Sequence, residues 1–180
     1  MPWRVFPFDA AAKPGEPFSP SYIYPHQGSG RFDVAGKFVV YLAETPVHAV
    51  AEKLQRFRGQ RVDRKDLIES GKTLALVECQ IGKSKLADLC DPRVLVQHDL
   101  APDVLASRDV AKTQRVAAAL NKEGYEGLRW WSALSGDWHT IVLFQGKIDY
   151  AEPEPLTIGH QAVRDASVAL GIQLAAPSRG

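Results

Sequence analysis

Arg31, Tyr41 and Glu52 stand on what read, in succession, as a loop, a strand and a helix. Their types could do chemistry together. Arg31 is a permanent, fork-shaped cation that suits two oxygens of one anion, and Tyr41 offers an aromatic face. Glu52 brings a carboxylate that can stabilise developing positive charge. The order loop, strand, helix brings the three within reach of one pocket. Each also has a plainer reading. Arg31 could close a loop through Asp33, Tyr41 could be a core residue of a half-buried strand, and Glu52 could be one rung of a surface ladder with His48 and Arg56, four residues apart on a helix.

The elements that must position them are well marked. Gly28, Ser29 and Gly30 allow a close turn just before Arg31. Residues 37–43 are β-branched and aromatic and read as a strand, with Phe38, Val40 and Leu42 on one side and Val39, Tyr41 and Ala43 on the other. Thr45 is a good N-cap, and Pro46 at the first helical position loses no useful N–H. Val47, Val50, Ala51, Leu54 and Phe57 follow as a buried helical stripe. That puts Glu52 about two turns into the helix, beside the stripe.

Three segments in this order resemble the RES domain, a family named for an arginine, a glutamate and a serine. They are Gly30-Arg31-Phe32-Asp33 with Gly36, then Tyr41, Ala43, Thr45, Pro46, Ala49 and Glu52, then Gly124-Tyr125, Gly127-Leu128-Arg129 and Ser132. The resemblance runs from Trp3-Arg4-Val5 to Val142-Leu143-Phe144. It implies an α+β fold like that of the ADP-ribosyltransferases, with a split, mainly antiparallel β core flanked by helices and NAD held in its cleft. Residues 1–150 would form this domain and residues 151–180 a helical extension with a polar tail.

The resemblance also implies a toxin of a toxin–antitoxin system that breaks the nicotinamide glycosidic bond of NAD. Nicotinamide leaves as a neutral molecule from a cationic ring, so no proton donor is needed and the sugar becomes oxocarbenium-like. Glu52 would stabilise that charge, Arg31 would clamp the pyrophosphate or a ribose, and Tyr41 would face nicotinamide. Ser132 would hydrogen-bond the substrate, although a turn-initiating serine is its plainer reading. Trp130 and Trp131, just before it, are bulkier than the family pattern and would reshape the nicotinamide side of the pocket. Arg4 and Arg129 fall at family-like positions, as phosphate contacts or structural ion pairs. The long aromatic loop before Arg31 and the C-terminal extension suit a protein acceptor for ADP-ribose. Water or phosphate as acceptor would make the chain a glycohydrolase or a phosphorylase. A nucleic-acid-acting toxin and a non-catalytic nucleotide-binding module are the rivals from other classes. The implied partner is a cognate antitoxin with an Xre-like helix-turn-helix region.

Composition bounds the rest. With 45% hydrophobic and 24% charged residues and a formal net charge of +1, the chain reads as an ordinary soluble domain with no global attraction to polyanions. The basic stretch Arg56, Arg58, Arg61, Arg64 and Lys65 is broken by Asp63 and Asp66 and reads first as a solvated face. No direct nucleic-acid or membrane partner is expected, and the location is expected to be cytoplasmic. Cys79 and Cys90 read as buried reduced thiols, and His26, His48, His98, His139 and His160 have no metal-ligand spacing. Residues 3–8 read as a first strand and residues 9–30 as a long loop, part of which packs. Residues 66–69 read as a helical turn, and residues 73–81, 85–89 and 94–100 as strands. Residues 109–122 read as a helix with Val110, Thr113, Ala117 and Leu120 inward, and residues 125–131 and 139–144 as two strands. A last helix has Val163, Ala166 and Leu170 on one face.

Overall fold

A computed structural model describes residues 1–24, 28–144 and 147–176; Pro25, His26 and the last four residues of the tail lie outside them. In chain order the strands are β1 (Trp3–Pro7), β2 (Val40–Ala43), β3 (Arg61–Val62), β4 (Ile68–Glu69), β5 (Lys72–Gln80), β6 (Leu86–Asp88), β7 (Gly127–Trp131), β8 (His139–Leu143), β9 (Asp149–Tyr150), β10 (Glu154–Pro155) and β11 (Gln173–Leu174). The helices are α1 (Pro46–Leu54), α2 (Pro92–Gln97), α3 (Pro102–Ala106), α4 (Val110–Lys122) and α5 (Gln161–Leu170). The class is α+β, with mainly antiparallel strands flanked by helices, as expected. The chain divides into two compact units, residues 1–22, 43–80 and 148–180 in the first and residues 23–42 and 81–147 in the second.

The first unit is built on β5, whose Leu74, Ala75, Leu76 and Val77 are all buried. A run buried on both faces needs cover on both, and its edges need partners. Antiparallel β1 pairs with it from Trp3 opposite Glu78 to Pro7 opposite Leu74, β10 pairs with Leu76 and Ala75 from the other edge, and β4 and β9 pair with its two ends. Helix α1 starts where expected: Thr45 Oγ1 accepts from His48 N at 3.2 Å and Pro46 stands in the first turn. It packs against α5 and β1, so more of its circumference is covered than one stripe would be. Val50, Ala51 and Leu54 are buried as expected, but so is His48, which the surface-ladder reading places outside.

The loop after β1 holds no helix or strand among its described residues, and it is tied together. Asp9 N donates to Phe18 O at 3.2 Å, Lys72 Nζ lies 2.6 Å from Asp9 Oδ2, and Gly15 N donates to the hydroxyls of Ser19 and Ser21. Arg4 reaches from β1 to the carbonyls of Pro20 and Tyr22 at 2.9 and 2.8 Å. Residues 64–67 form a tight 3-10 turn under a capping box between Asp63 and Asp66. The helical turn expected over residues 66–69 therefore starts earlier and ends in β4.

In the second unit the strand order is β2, β8, β7, β6, with β7 and β8 antiparallel and β6 and β7 parallel. Phe32, Val39, Leu89, Leu105, Leu120, Leu128 and Phe144 belong to its core. Residues 94–100, expected as a strand, mostly belong to α2 instead. The Asp91-Pro92 pair that marks the end of an extended piece also starts a helix, because the Asp91 carboxylate accepts from Arg93 N and Pro92 needs no N–H partner. Helix α3 also begins on a proline, Pro102, but its N-cap Ala101 supplies no side-chain bond, and it was not expected. Helix α4 follows its N-cap Asp109, with Thr113, Ala117 and Leu120 buried as expected.

Candidate active site

In the second unit the turn before Arg31 is knotted around one carboxylate. Asp33 Oδ2 accepts from Gly28 N at 2.7 Å and Gly30 N at 2.8 Å, and Asp33 Oδ1 accepts from the Tyr41 hydroxyl at 2.8 Å. The same hydroxyl accepts from Phe32 N at 2.9 Å. Gln114 of α4 closes the knot from the other side, donating to the carbonyls of Gly28 and Gly30, each at 2.9 Å. Gly28 needs its freedom because its φ is +110°. Gly30 needs to be small, since a Cβ there would stand 2.4 Å from both Asp33 Oδ1 and the Tyr41 hydroxyl oxygen.

Strand and loop are thereby locked, and Arg31 and Tyr41 are brought together through Phe32 and Asp33. Arg31 does not close the loop through Asp33. Its Nη2 donates to the carbonyl of Leu105 at the end of α3, and its guanidinium carbon stands 6.0 Å from the centre of the Phe32 ring. Its Nε is buried and has no hydrogen-bond partner among the described residues. Burial pushes the Tyr41 phenol well above its ordinary range, and the Asp33 carboxylate adds to the rise. The group is therefore neutral near pH 7 and cannot serve there as a base. Its ring is not enclosed, with 37% of the residue exposed.

Ser132 lies just past β7 and is buried. Its N donates to Trp138 O at 2.7 Å, and its Oγ accepts from Leu134 N at 3.1 Å, so it does organise a turn. Trp130 is buried in the core with its ring edge-on to Phe32, which accounts for its bulk by packing beside the Arg31 loop. Arg129 pairs with Asp88 at 3.2 Å, and Arg4 is an anchor for loop carbonyls.

Glu52 belongs to the first unit, on α1. Its Oε1 is 2.9 Å from His48 Nε2, and its Oε2 accepts from Gln55 Nε2 at 3.0 Å. Arg56 leaves the expected ladder because α1 ends at Leu54 and a 3-10 turn follows, where the Arg56 guanidinium lies 4.9 Å from the centre of the Phe57 ring. A carboxylate held at both oxygens and still 43% exposed is presented to its surroundings in a fixed attitude.

Asp33, Gln114 and Gln55 carry much of this positioning and were not singled out for it from the sequence, whereas the pair of His48 and Glu52 is the one rung of the expected ladder that forms. A signal existed for Asp33, since an aspartate three residues after a glycine can reach back to the turn's N–H groups. None existed for Gln114, which acts from 84 residues away. No cluster of three or more metal-ligating side chains occurs among the described residues, and none of the described helices is long and apolar enough to cross a membrane.

A family model described as the RES domain matches residues 1–164. No curated protein gives a significant match. Among solved structures, a chain of the crystal structure of the M. tuberculosis MbcT-MbcA toxin-antitoxin complex is similar, at 18% identity and a TM-score of 0.59, over 87% of this chain and 83% of that chain. At that identity the likeness is one of fold.

Proposed function

Since this chain belongs to the RES domain family, by a match that takes in Arg31, Tyr41, Glu52 and Ser132, we propose that it is a toxin that breaks the nicotinamide glycosidic bond of NAD and passes ADP-ribose to an acceptor, a protein for preference. The observation that carries the reading is this match, because all four proposed site residues lie within it. The geometry around each residue supports it.

In the proposed reaction the bond between the nicotinamide nitrogen and C1′ of the ribose breaks, and its electron pair goes to nicotinamide. Positive charge spreads over C1′ and the ring oxygen. The fixed Glu52 carboxylate offsets that charge, through space and through the ribose hydroxyls. A nucleophile on the acceptor then bonds to C1′ and gives up its proton. The Arg31 guanidinium grips phosphate or ribose oxygens, and its buried Nε is a donor that such an oxygen would satisfy. Tyr41, its hydroxyl engaged by Asp33 and Phe32, contributes a ring face for nicotinamide. Ser132 adds a polar contact to substrate. No step calls for a metal.

The structural neighbour was solved as a toxin-antitoxin complex, which supports a cognate antitoxin as partner of this chain. We assign that partner an Xre-like helix-turn-helix region, on the strength of the family. Co-expression that restores growth would bear this out, and unrelieved growth arrest would refute it.

The direct test is product analysis of labelled NAD incubated with wild-type protein and with Glu52→Ala, with and without phosphate and cell lysate. Release of nicotinamide that falls about a hundredfold or more in Glu52→Ala is expected, with label passing to protein in lysate. Label appearing only as free ADP-ribose or as its phosphate ester would replace the transferase reading by a glycohydrolase or phosphorylase. No release under any condition would refute the NAD chemistry.

A further inference from the structure

We propose that His48 is a positioning residue for Glu52, fixing the carboxylate in the attitude that the NAD chemistry uses. The inference rests on the NAD reading above. His48 is only 1% exposed and Glu52 is 43% exposed, yet the imidazole Nε2 lies 2.9 Å from Glu52 Oε1, one helical turn away. An exposed glutamate on a helix ordinarily samples several rotamers. A buried ring is held by its packing, so a donor on that ring fixes the mobile acceptor rather than the reverse. An ionised carboxylate can only accept, so Nε2 carries the proton in this bond.

Burial of an imidazole is costly without such a bond, and an apolar residue would fill the same helix position at less cost. The Gln55 amide holds the second oxygen from the exposed side, so the carboxylate is gripped by one rigid and one mobile donor. Leucine would fill the space that His48 takes in the packing of α1. It would not orient Glu52.

The test compares nicotinamide release from NAD by wild type, His48→Leu and His48→Gln, together with thermal midpoints and the Glu52→Ala and Glu52→Ala/His48→Leu pair. Glutamine places an amide donor near the position of Nε2; leucine fills the space without one. Loss of an orienting partner is expected to lower kcat by about tenfold in His48→Leu, with KM within about twofold. His48→Gln should recover most of that loss, and His48→Leu should add nothing once Glu52 is alanine. Equal losses in the leucine and glutamine variants, or no loss in His48→Leu, while wild type turns over NAD, would overturn this inference alone. Wild-type protein that leaves NAD intact would overturn the NAD reading and this inference with it.

Discussion

Gly30 sits where a single methyl group should dismantle the Arg31 turn. In Gly30→Ala the new Cβ would meet Asp33 Oδ1 and the Tyr41 hydroxyl oxygen at 2.4 Å each, and Asp33 Cγ at 2.8 Å. All three distances are too short to keep, so the Asp33 carboxylate and the Tyr41 hydroxyl must shift, and the bond between them is expected to open. That bond has a charged acceptor and is worth about 1.5–3 kcal/mol, and the linked bond from Phe32 N about 1 kcal/mol. The expected cost of Gly30→Ala is about 2–4 kcal/mol. Tyr41→Phe removes the hydroxyl but leaves the two backbone bonds to Asp33 Oδ2, so it should cost about 2 kcal/mol. The two changes share a target. With the hydroxyl already gone, the alanine meets only the Asp33 carboxylate, so the double variant should cost less than the sum by about 1 kcal/mol or more. The assay is urea unfolding at pH 7 followed by tryptophan fluorescence, since Trp130, Trp131 and Trp138 all lie in the unit that holds the knot. A Gly30→Ala cost below about 0.5 kcal/mol, the range of an ordinary surface change, would refute the reasoning, and so would strict additivity.

Other outcomes follow from groups away from the knot. Burial pushes the Cys79 thiol up to about 12, while Cys90 is only half-buried. Alkylation of the native protein at pH 8 should therefore label Cys90 first, as peptide mapping would read. Cys79 and Tyr41 are both held protonated by burial, whereas an unfolded chain ionises them at about 8.5 and 10. Above those values the unfolded state binds fewer protons than the native one, so the contribution of these two groups should be flat below about pH 8, and stability should fall as pH rises beyond it. Cys79→Ala should flatten the early part of that fall and Tyr41→Phe the later part, measured as unfolding midpoint against pH. Arg4→Ala removes both bonds to the carbonyls of Pro20 and Tyr22 and should make the segment after β1 cut faster in limited proteolysis, with cuts elsewhere unchanged.

What the sequence disclosed depended on whether the cause was local. Thr45-Pro46 starts α1 by chemistry contained in four residues, and the apolar run of β5 needs only its own composition to read as a strand. Asp91-Pro92 carries the same kind of signal, but the Val94-Leu95-Val96 run that follows favours extended chain on pattern alone, and a six-residue helix is too short for its period to correct that. His48 was misplaced for another reason. A helix pressed by both β1 and α5 buries positions that a single stripe leaves outside, and the contact with α5 is made by residues more than a hundred positions later. In the candidate site, residue types and order were legible. The hydrogen bonds that fix Arg31 and Tyr41 were not: Leu105 meets Arg31, and Gln114 meets the turn before it, only once the unit has folded, and Tyr41 meets Asp33 and Phe32 only when the loop closes on the strand.

The segment after β1 is closed on itself. Asp9 and Phe18 are bridged backbone to backbone, Lys72 grips Asp9, and Arg4 holds the exit at Pro20 and Tyr22. The strand that enters and the chain that leaves are thus insulated from whatever lies between. Lengthening the turn at residues 10–13 would leave the Asp9–Phe18 bridge and the Arg4 bonds in place, and doubling such a loop costs only about 0.6 kcal/mol of closure entropy. This stretch is a place where insertions can accumulate and new recognition can be tried, while the framework that carries Glu52 is left alone.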